Sequence, residues 1–217
     1  MQQIFEQFLS DLKQTGALEY IAVIFGIISV WYSRKENILV YPTGLINTIA
    51  YVYISLKVSL FGEASVNLYY TIMSIYGWVL WSQKNVRREN LIQITYSNSK
   101  EWGIELLFFA VCYVIIFLSL SYLKREFSPG AIPWADAFAS ATAFTGMWLM
   151  AKKKVESWYW WIATNIASIP LYFIKHYVFT SFYYFVLLVM AFWGLSSWIK
   201  KARHYLSIRE KIPEWKQ

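Results

Sequence analysis

The chain has 217 residues and a formal net charge of +7, with 58% hydrophobic and only 15% charged residues. Soluble domains usually carry about 25% charged residues, so this composition excludes an ordinary soluble domain. The single cysteine, Cys112, excludes an internal disulfide or a cysteine-based zinc site, and no metal or cofactor is expected. Basic residues lie in loops between apolar segments, so nucleic-acid binding is not expected.

The chain begins with residues 1–16, whose apolar side chains recur at helical spacing and predict a short interfacial helix without the features of a signal peptide. Apolar segments follow near residues 18–33, 38–56, 64–82, 102–123, 133–151, 158–178 and 181–199. Each is close to the roughly 20 residues that a helix needs to cross a lipid bilayer. We therefore predict an all-α integral membrane protein with seven transmembrane helices.

The basic residues are distributed unevenly between the two sides of these predicted spans. The loops after spans one, three and five, together with the C-terminal segment from Lys200 to Gln217, hold 15 Lys and Arg, whereas the other side holds 5. Because positively charged loops stay in the cytoplasm, the N-terminus is expected outside and the C-terminal tail inside.

The second half of the chain resembles the first, which predicts an internal repeat. Gly26, Arg34 and Glu36 match Gly146, Lys154 and Glu156 at a spacing of 120; Asn47 and Lys57 match Asn165 and Lys175 at 118; Tyr76, Gly77 and Trp81 match Trp193, Gly194 and Trp198 at 117. The domains are then a first three-helix repeat at 17–83, a loop and linking helix at 84–132, and a second repeat at 133–200. Such parallel repeats are typical of secondary transporters, although apolar segments also match by chance.

Span six contains the densest group of candidate binding residues. Trp158, Trp161 and Asn165 stand at i, i+3 and i+7, which places them on one helix face. Two indole rings can stack on a flat or cationic heterocycle, and the amide offers both a donor and an acceptor. The alternative is an aromatic belt at the membrane interface, with Asn165 bonded to a neighbouring helix.

Further candidates lie on the other spans. Asn47 and Tyr51 are one helical turn apart in span two, and we expect Asn47 to face the same site as Asn165. Asn67 in span three either binds solute or joins helices, and Asp136 at the start of span five either attracts a cation or is only solvated.

Several kinds of catalytic site are missing from the sequence. There is no glycine-rich phosphate-binding loop, and the spans show no clustered acids or His/Cys nucleophile that a membrane enzyme would need. The sequence therefore favours a passive carrier over an enzyme. A membrane sensor that binds without transport remains an alternative, and a homo-oligomer is compatible with the sequence.

Taken together, these motifs resemble the PnuC family of bacterial nicotinamide riboside transporters over about residues 20–200. The resemblance rests on Ser33–Asn37, Tyr41–Gly44, Ser74–Trp78, Trp134–Asp136, Met147–Lys154 and Glu156–Trp161, the last of which is similar to the family's W-x-x-W signature. It implies a SWEET-like 3+1+3 fold in the bacterial inner membrane and facilitated diffusion of a vitamin that a cytoplasmic kinase then phosphorylates and traps. It also implies that Trp158, Trp161 and Asn165 bind the solute. Asn67 and Asn165 depart from the residues expected in nicotinamide riboside carriers, so thiamine and riboflavin remain alternative solutes.

Overall fold

The computed structural model is all-α and describes residues 6–10, 16–57, 61–84, 90–123 and 132–210. Its long helices are α1 Ala17–Lys35, α2 Val40–Lys57, α3 Phe61–Ser82, α4 Ser99–Leu123, α5 Pro133–Ala151, α6 Ser157–Ile174 and α7 Val178–Glu210. Residues 6–10 are helical, and the rest of the predicted N-terminal helix lies largely outside the described residues. The seven predicted helices are therefore present at the expected places.

The last helix is longer than predicted. The sequence placed its end at 199 and a tail from 201, whereas α7 continues to Glu210. No Gly or Pro interrupts the chain between Gly194 and Glu210, so nothing stops the helical hydrogen bonding there.

By length and mean hydropathy, three of the described helices qualify as membrane spans: Ala17–Lys35, Ser99–Tyr122 and Val178–Ile208. Of the other four, α2, α3 and α6 contain more Tyr, Trp, Asn, Ser and Thr, which lowers their mean hydropathy, and in α5 Pro133 and Asp136 lower it. Polar side chains are tolerated in a spanning helix where they face other helices rather than lipid. The polar composition thus marks helices that have an inward face.

The helices pack as a closed ring. Each neighbouring pair is in contact around the circuit α1, α2, α3, α5, α6, α7 and back to α1, while α4 lies outside and packs against α5. Only 6% of the apolar window of α4 is buried within the protein. Among the described helices, α2 and α6 face each other across the ring without packing together. This leaves a central axis lined by α2 and α6.

Helices α2 and α6, and the starts of α3 and α7, have a constant spacing of 117 residues, whereas the ends of α1 and α5 are 116 residues apart. Val40 and Ser157 begin α2 and α6, Lys57 and Ile174 end them, and Phe61 and Val178 begin α3 and α7. The predicted spacing of 117 between α3 and α7 agrees with the starts of these two helices. The helix bounds differ from the predicted spacings of 120 and 118, and at a spacing of 117 Asn165 corresponds to Thr48 and not to Asn47.

In the first half, an aromatic side chain from α2 packs into a glycine gap on α3. A methyl group at Gly77 would lie 2.5 Å from the ring of Tyr41, which is buried at 2% exposure. The same ring meets Trp81 edge-to-face, with centroids 5.1 Å apart and an interplanar angle of 86°. Only a residue without Cβ allows this approach.

The second half repeats this packing 117 residues later. The indole of Trp158 lies against Gly194 so closely that a methyl group there would overlap it. It meets Trp198 edge-to-face at 5.6 Å and 87°. Trp158 therefore corresponds to Tyr41.

Candidate functional site

Of the two predicted tryptophans, Trp161 has the more exposed side chain. It is half-buried on α6, and its indole lies flat against α5, where a methyl group at Gly146 would lie 3.3 Å from the ring. Its ring centroid is 6.3 Å from that of Tyr70 on α3. Tyr70 in turn packs against Phe144 on α5. Trp161 thus belongs to an aromatic wall formed by α3, α5 and α6.

The position related to Trp161 in the first half is Gly44. Gly44 on α2 approaches Ser29 on α1, as Trp161 approaches Gly146, so the two contacts are equivalent at the 117 spacing. One half thus places an indole where the other has no side chain. The α6 wall thus carries a flat ring at a position where the α2 wall presents only backbone.

Trp158 is placed differently from Trp161 although both lie on one face of α6. It is only 1% exposed and is enclosed by Gly194 and Trp198. Among the described residues, its buried Nε1 atom has no hydrogen-bond partner, and neither has the hydroxyl of its counterpart Tyr41. Unpaired buried donors are costly, so a change in packing that brought either atom a partner would be favourable.

Asn165 lies one helical turn beyond Trp161 and is 3% exposed. Its carboxamide makes no hydrogen bond to any residue that the structure describes. Buried amides nearly always have partners. An amide left free on the α6 face that carries Trp161 is therefore a strong candidate for contact with a solute.

Asn47 and Tyr51 line the opposite side of the ring. Asn47 donates its amide N–H to the carbonyl of Ala22 on α1 at 2.7 Å, so part of its hydrogen-bonding capacity joins α2 to α1. A methyl group at Gly26 would meet both this amide and the hydroxyl of Tyr183. Tyr51 is half-buried one turn further along α2. These residues form a polar patch that faces α7.

The other two predicted residues have partners within the protein. Asn67 donates to the carbonyl of Glu63 in its own helix at 2.9 Å. Asp136 forms an ion pair with Lys175 at 2.6 Å and accepts a hydrogen bond from the backbone of Ile132 at 2.7 Å. The structure does not place these two side chains beside Trp161.

The sequence did not predict a tyrosine group on α6 and α7. Tyr172 and Tyr184 stack at a centroid distance of 5.2 Å, and Ser168 lies near Tyr184. Ser168 and Tyr172 continue the α6 face of Asn165 at i+3 and i+7. Only this spacing signalled them in the sequence.

Two buried carboxylates were also missed. Glu105 on α4 is 1% exposed and accepts a 3.4 Å hydrogen bond from Trp160, while Glu156 at the start of α6 is 3% exposed. Within the described part of the chain, no group of three or more His, Cys, Asp or Glu residues has a metal-binding arrangement. The site is therefore aromatic and amide-rich, which suits non-covalent binding of a flat heterocycle.

Comparison with known proteins identifies the family. The sequence profile described as nicotinamide mononucleotide transporter matches residues 16–200. The chain belongs to this family. The relatives compared below are transporters and not enzymes. The chain is a multi-pass membrane protein.

Two relatives are named for different solutes. The nicotinamide riboside transporter PnuC of Escherichia coli (strain K12) is 25% identical over 209 residues, which cover 86% of each chain. The riboflavin/roseoflavin transporter RibM of Streptomyces davaonensis is 22% identical over 186 residues, which cover 85% of each chain. The crystal structure of the vitamin B3 transporter PnuC has a TM-score of 0.71 at 21% identity and covers 93% of this chain and 88% of that one. It shows that the two proteins share a fold.

Proposed function

We propose that this chain carries nicotinamide riboside across the membrane by facilitated diffusion, and that a cytoplasmic kinase traps the vitamin by phosphorylation. The aromatic wall around Trp161 and the free amide of Asn165 support a flat, cationic solute. The absence of a phosphate-binding loop from the sequence agrees with a carrier that does not hydrolyse ATP.

The proposed architecture is two parallel three-helix repeats, α1–α3 and α5–α7, joined by the linking helix α4, all spanning a bacterial inner membrane. The constant spacing of 117 residues and the position of α4 outside the ring support it. The basic residues on the side of the α1–α2 and α5–α6 turns support a cytoplasmic position for that side, which we call the basic end.

The proposed binding site is the space between α2 and α6. Trp161 stacks on the ring of the solute, and Asn165 accepts or donates one hydrogen bond. Asn47 and Tyr51 line the facing wall, and the unpaired Nε1 of Trp158 offers a donor at the end nearest the cytoplasm. Asn67 and Asp136 stay predictions, and their partners within the protein support a smaller contribution.

Equilibration of labelled nicotinamide riboside into proteoliposomes without a kinase or an ion gradient tests this function. We expect uptake to stop at equal concentrations inside and outside, and to be slower for Trp161→Ala. The matched control is Trp148→Ala, because Trp148 packs against Phe108 on α4, outside the ring. Accumulation above the external concentration, or no entry of the vitamin at all, would contradict the proposal.

Riboflavin is the second candidate solute, because RibM matches the chain over as much of its length as the nicotinamide riboside carriers do. Thiamine is a further alternative because it combines a flat ring with a positive charge. Competition of unlabelled riboflavin and thiamine against labelled nicotinamide riboside in the same vesicles separates the three.

A further inference from the structure

Two contacts at the basic end join residues that correspond to each other in the two halves. Trp81 and Trp198, which are 117 residues apart, have ring centroids 6.2 Å apart. Ser33 and Met150, also 117 apart, are joined by a hydrogen bond of 2.9 Å from the hydroxyl to the sulfur. Residues that contact their own symmetry mates lie on the symmetry axis. The central axis is therefore closed by side chains at the basic end.

The third such contact is a buried ion pair. The Nζ atom of Lys153 lies 2.8 Å from Oε1 of Glu36, and the two side chains are 2% and 7% exposed. They too are 117 residues apart. Both adopt the left-handed backbone conformation, with φ values of 60° at Glu36 and 54° at Lys153, in the turns that follow α1 and α5. The ion pair thus lies on the axis and joins the two halves.

Additional groups hold each partner in place. The ammonium of Lys153 lies 4.7 Å from the ring centroid of Trp81, within range of a cation–π interaction. Lys201 on α7 lies 3.1 Å from the other carboxylate oxygen of Glu36, with its side chain 37% exposed. Glu36 therefore has one buried and one exposed lysine partner, and it keeps a counter-charge when Lys153 moves away.

A cavity of about 410 Å³ lies at this end and is lined by Glu36, Lys153, Trp81, Lys84 and Asn90, among others. A solute that travels along the axis between α2 and α6 must pass the ion pair to reach this cavity. A buried charge is strongly disfavoured once its partner is lost. The ion pair is therefore a two-state contact, either closed or broken.

We propose that the Lys153–Glu36 ion pair is the lock that keeps the cytoplasmic side of the carrier shut, and that it must break each time solute leaves on that side. Lys201 neutralises Glu36 in the open state. The proposal rests on the orientation and the route given for the proposed function. It assigns a positioning role to both residues, since neither needs to touch the solute.

Thiol accessibility tests the lock without any solute, so its outcome is separate from that of the uptake experiment. The reporter is Ser33→Cys, a buried position on the axis, in a Cys112→Ser background. A membrane-impermeant maleimide is added to inside-out vesicles. We expect Glu36→Gln to raise the labelling rate by about tenfold or more, because the open state of such an equilibrium is usually a minor one.

The matched control is Lys154→Met, which removes the neighbouring ion pair with Glu101 at 2.7 Å, away from the axis. We expect it to leave labelling unchanged. If Glu36→Gln does not insert into the membrane, Lys153→Met supplies the same test, because Glu36 then retains Lys201. The double exchange Glu36→Lys with Lys153→Glu should restore slow labelling. Equal labelling rates in the lock variants and the control would overturn the proposal.

Discussion

The two tryptophans of α6 should respond differently to truncation. Trp158 is 1% exposed and fills the gap at Gly194, so Trp158→Ala leaves a cavity at the contact between α6 and α7. Truncation of a buried Trp costs about 3–5 kcal/mol, which includes the edge-to-face contact with Trp198. Trp161 is only half-buried, so Trp161→Ala should cost less stability than Trp158→Ala. Loss of its stacking should instead weaken binding by about 0.5–2 kcal/mol, or roughly 2- to 30-fold.

Both quantities can be measured on the same purified samples. Thermal unfolding in detergent gives the stability, and isothermal titration with nicotinamide riboside gives the affinity. We expect a clear loss of melting temperature for Trp158→Ala, and a loss of affinity with a smaller loss of melting temperature for Trp161→Ala. The reasoning is refuted if Trp158→Ala melts like the parent protein, or if Trp161→Ala binds like it.

Four further substitutions follow from the packing and the hydrogen bonds. Gly194→Ala places a methyl group against the buried indole beside it and should destabilise by about 1–3 kcal/mol, whereas Gly103→Ala on α4 meets no atom within 4 Å and should stabilise by about 0.4–1 kcal/mol; thermal unfolding compares the two. Asn165→Ala should weaken solute binding by about 0.5–1.5 kcal/mol in titration, because one hydrogen bond is lost. Asn67→Ala should leave binding unchanged in the same titration, since that amide bonds its own helix.

The positions of the helices could be predicted because apolar length is a strong local signal. Charged or turn residues bound each predicted segment, and the structure places helices there within a few residues. The exception is α7, which continues to Glu210. Hydropathy marks the end of an apolar segment, but a helix ends only where its hydrogen bonding is interrupted, and the charged residues after Trp198 are good helix formers.

The register between the halves was harder to predict because identity was a poor guide to equivalence. Asn47 and Asn165 are the same residue type, but the constant spacing pairs Asn165 with Thr48. The true correspondence joins Tyr41 to Trp158, two different side chains that fill the same kind of glycine gap. Shape and the available space determine this match, and neither can be seen in a sequence of mostly apolar residues.

Helical spacing predicts part of the candidate site, because it places Trp161 and Asn165 on one helix face. It does not distinguish Trp158 from Trp161, which lie on the same face. The structure separates them, because only the neighbouring helices decide which ring is enclosed. The buried carboxylates Glu105 and Glu156 stand near chain segments that look solvated in sequence, so burial by the α5–α6 turn could not be anticipated.

The correspondence between the two halves differs at two depths of the central axis. At the basic end, corresponding residues meet each other, as Trp81 meets Trp198, so symmetry itself closes the axis. Further along the axis the halves differ, because Trp161 corresponds to Gly44. A closure shared by both halves opens only when they move relative to each other, whereas an asymmetric wall binds a solute in one orientation. Because the two features lie at different depths of the same helices, a rocking motion of the halves can break the closure while leaving Trp161 on its own helix beside the solute.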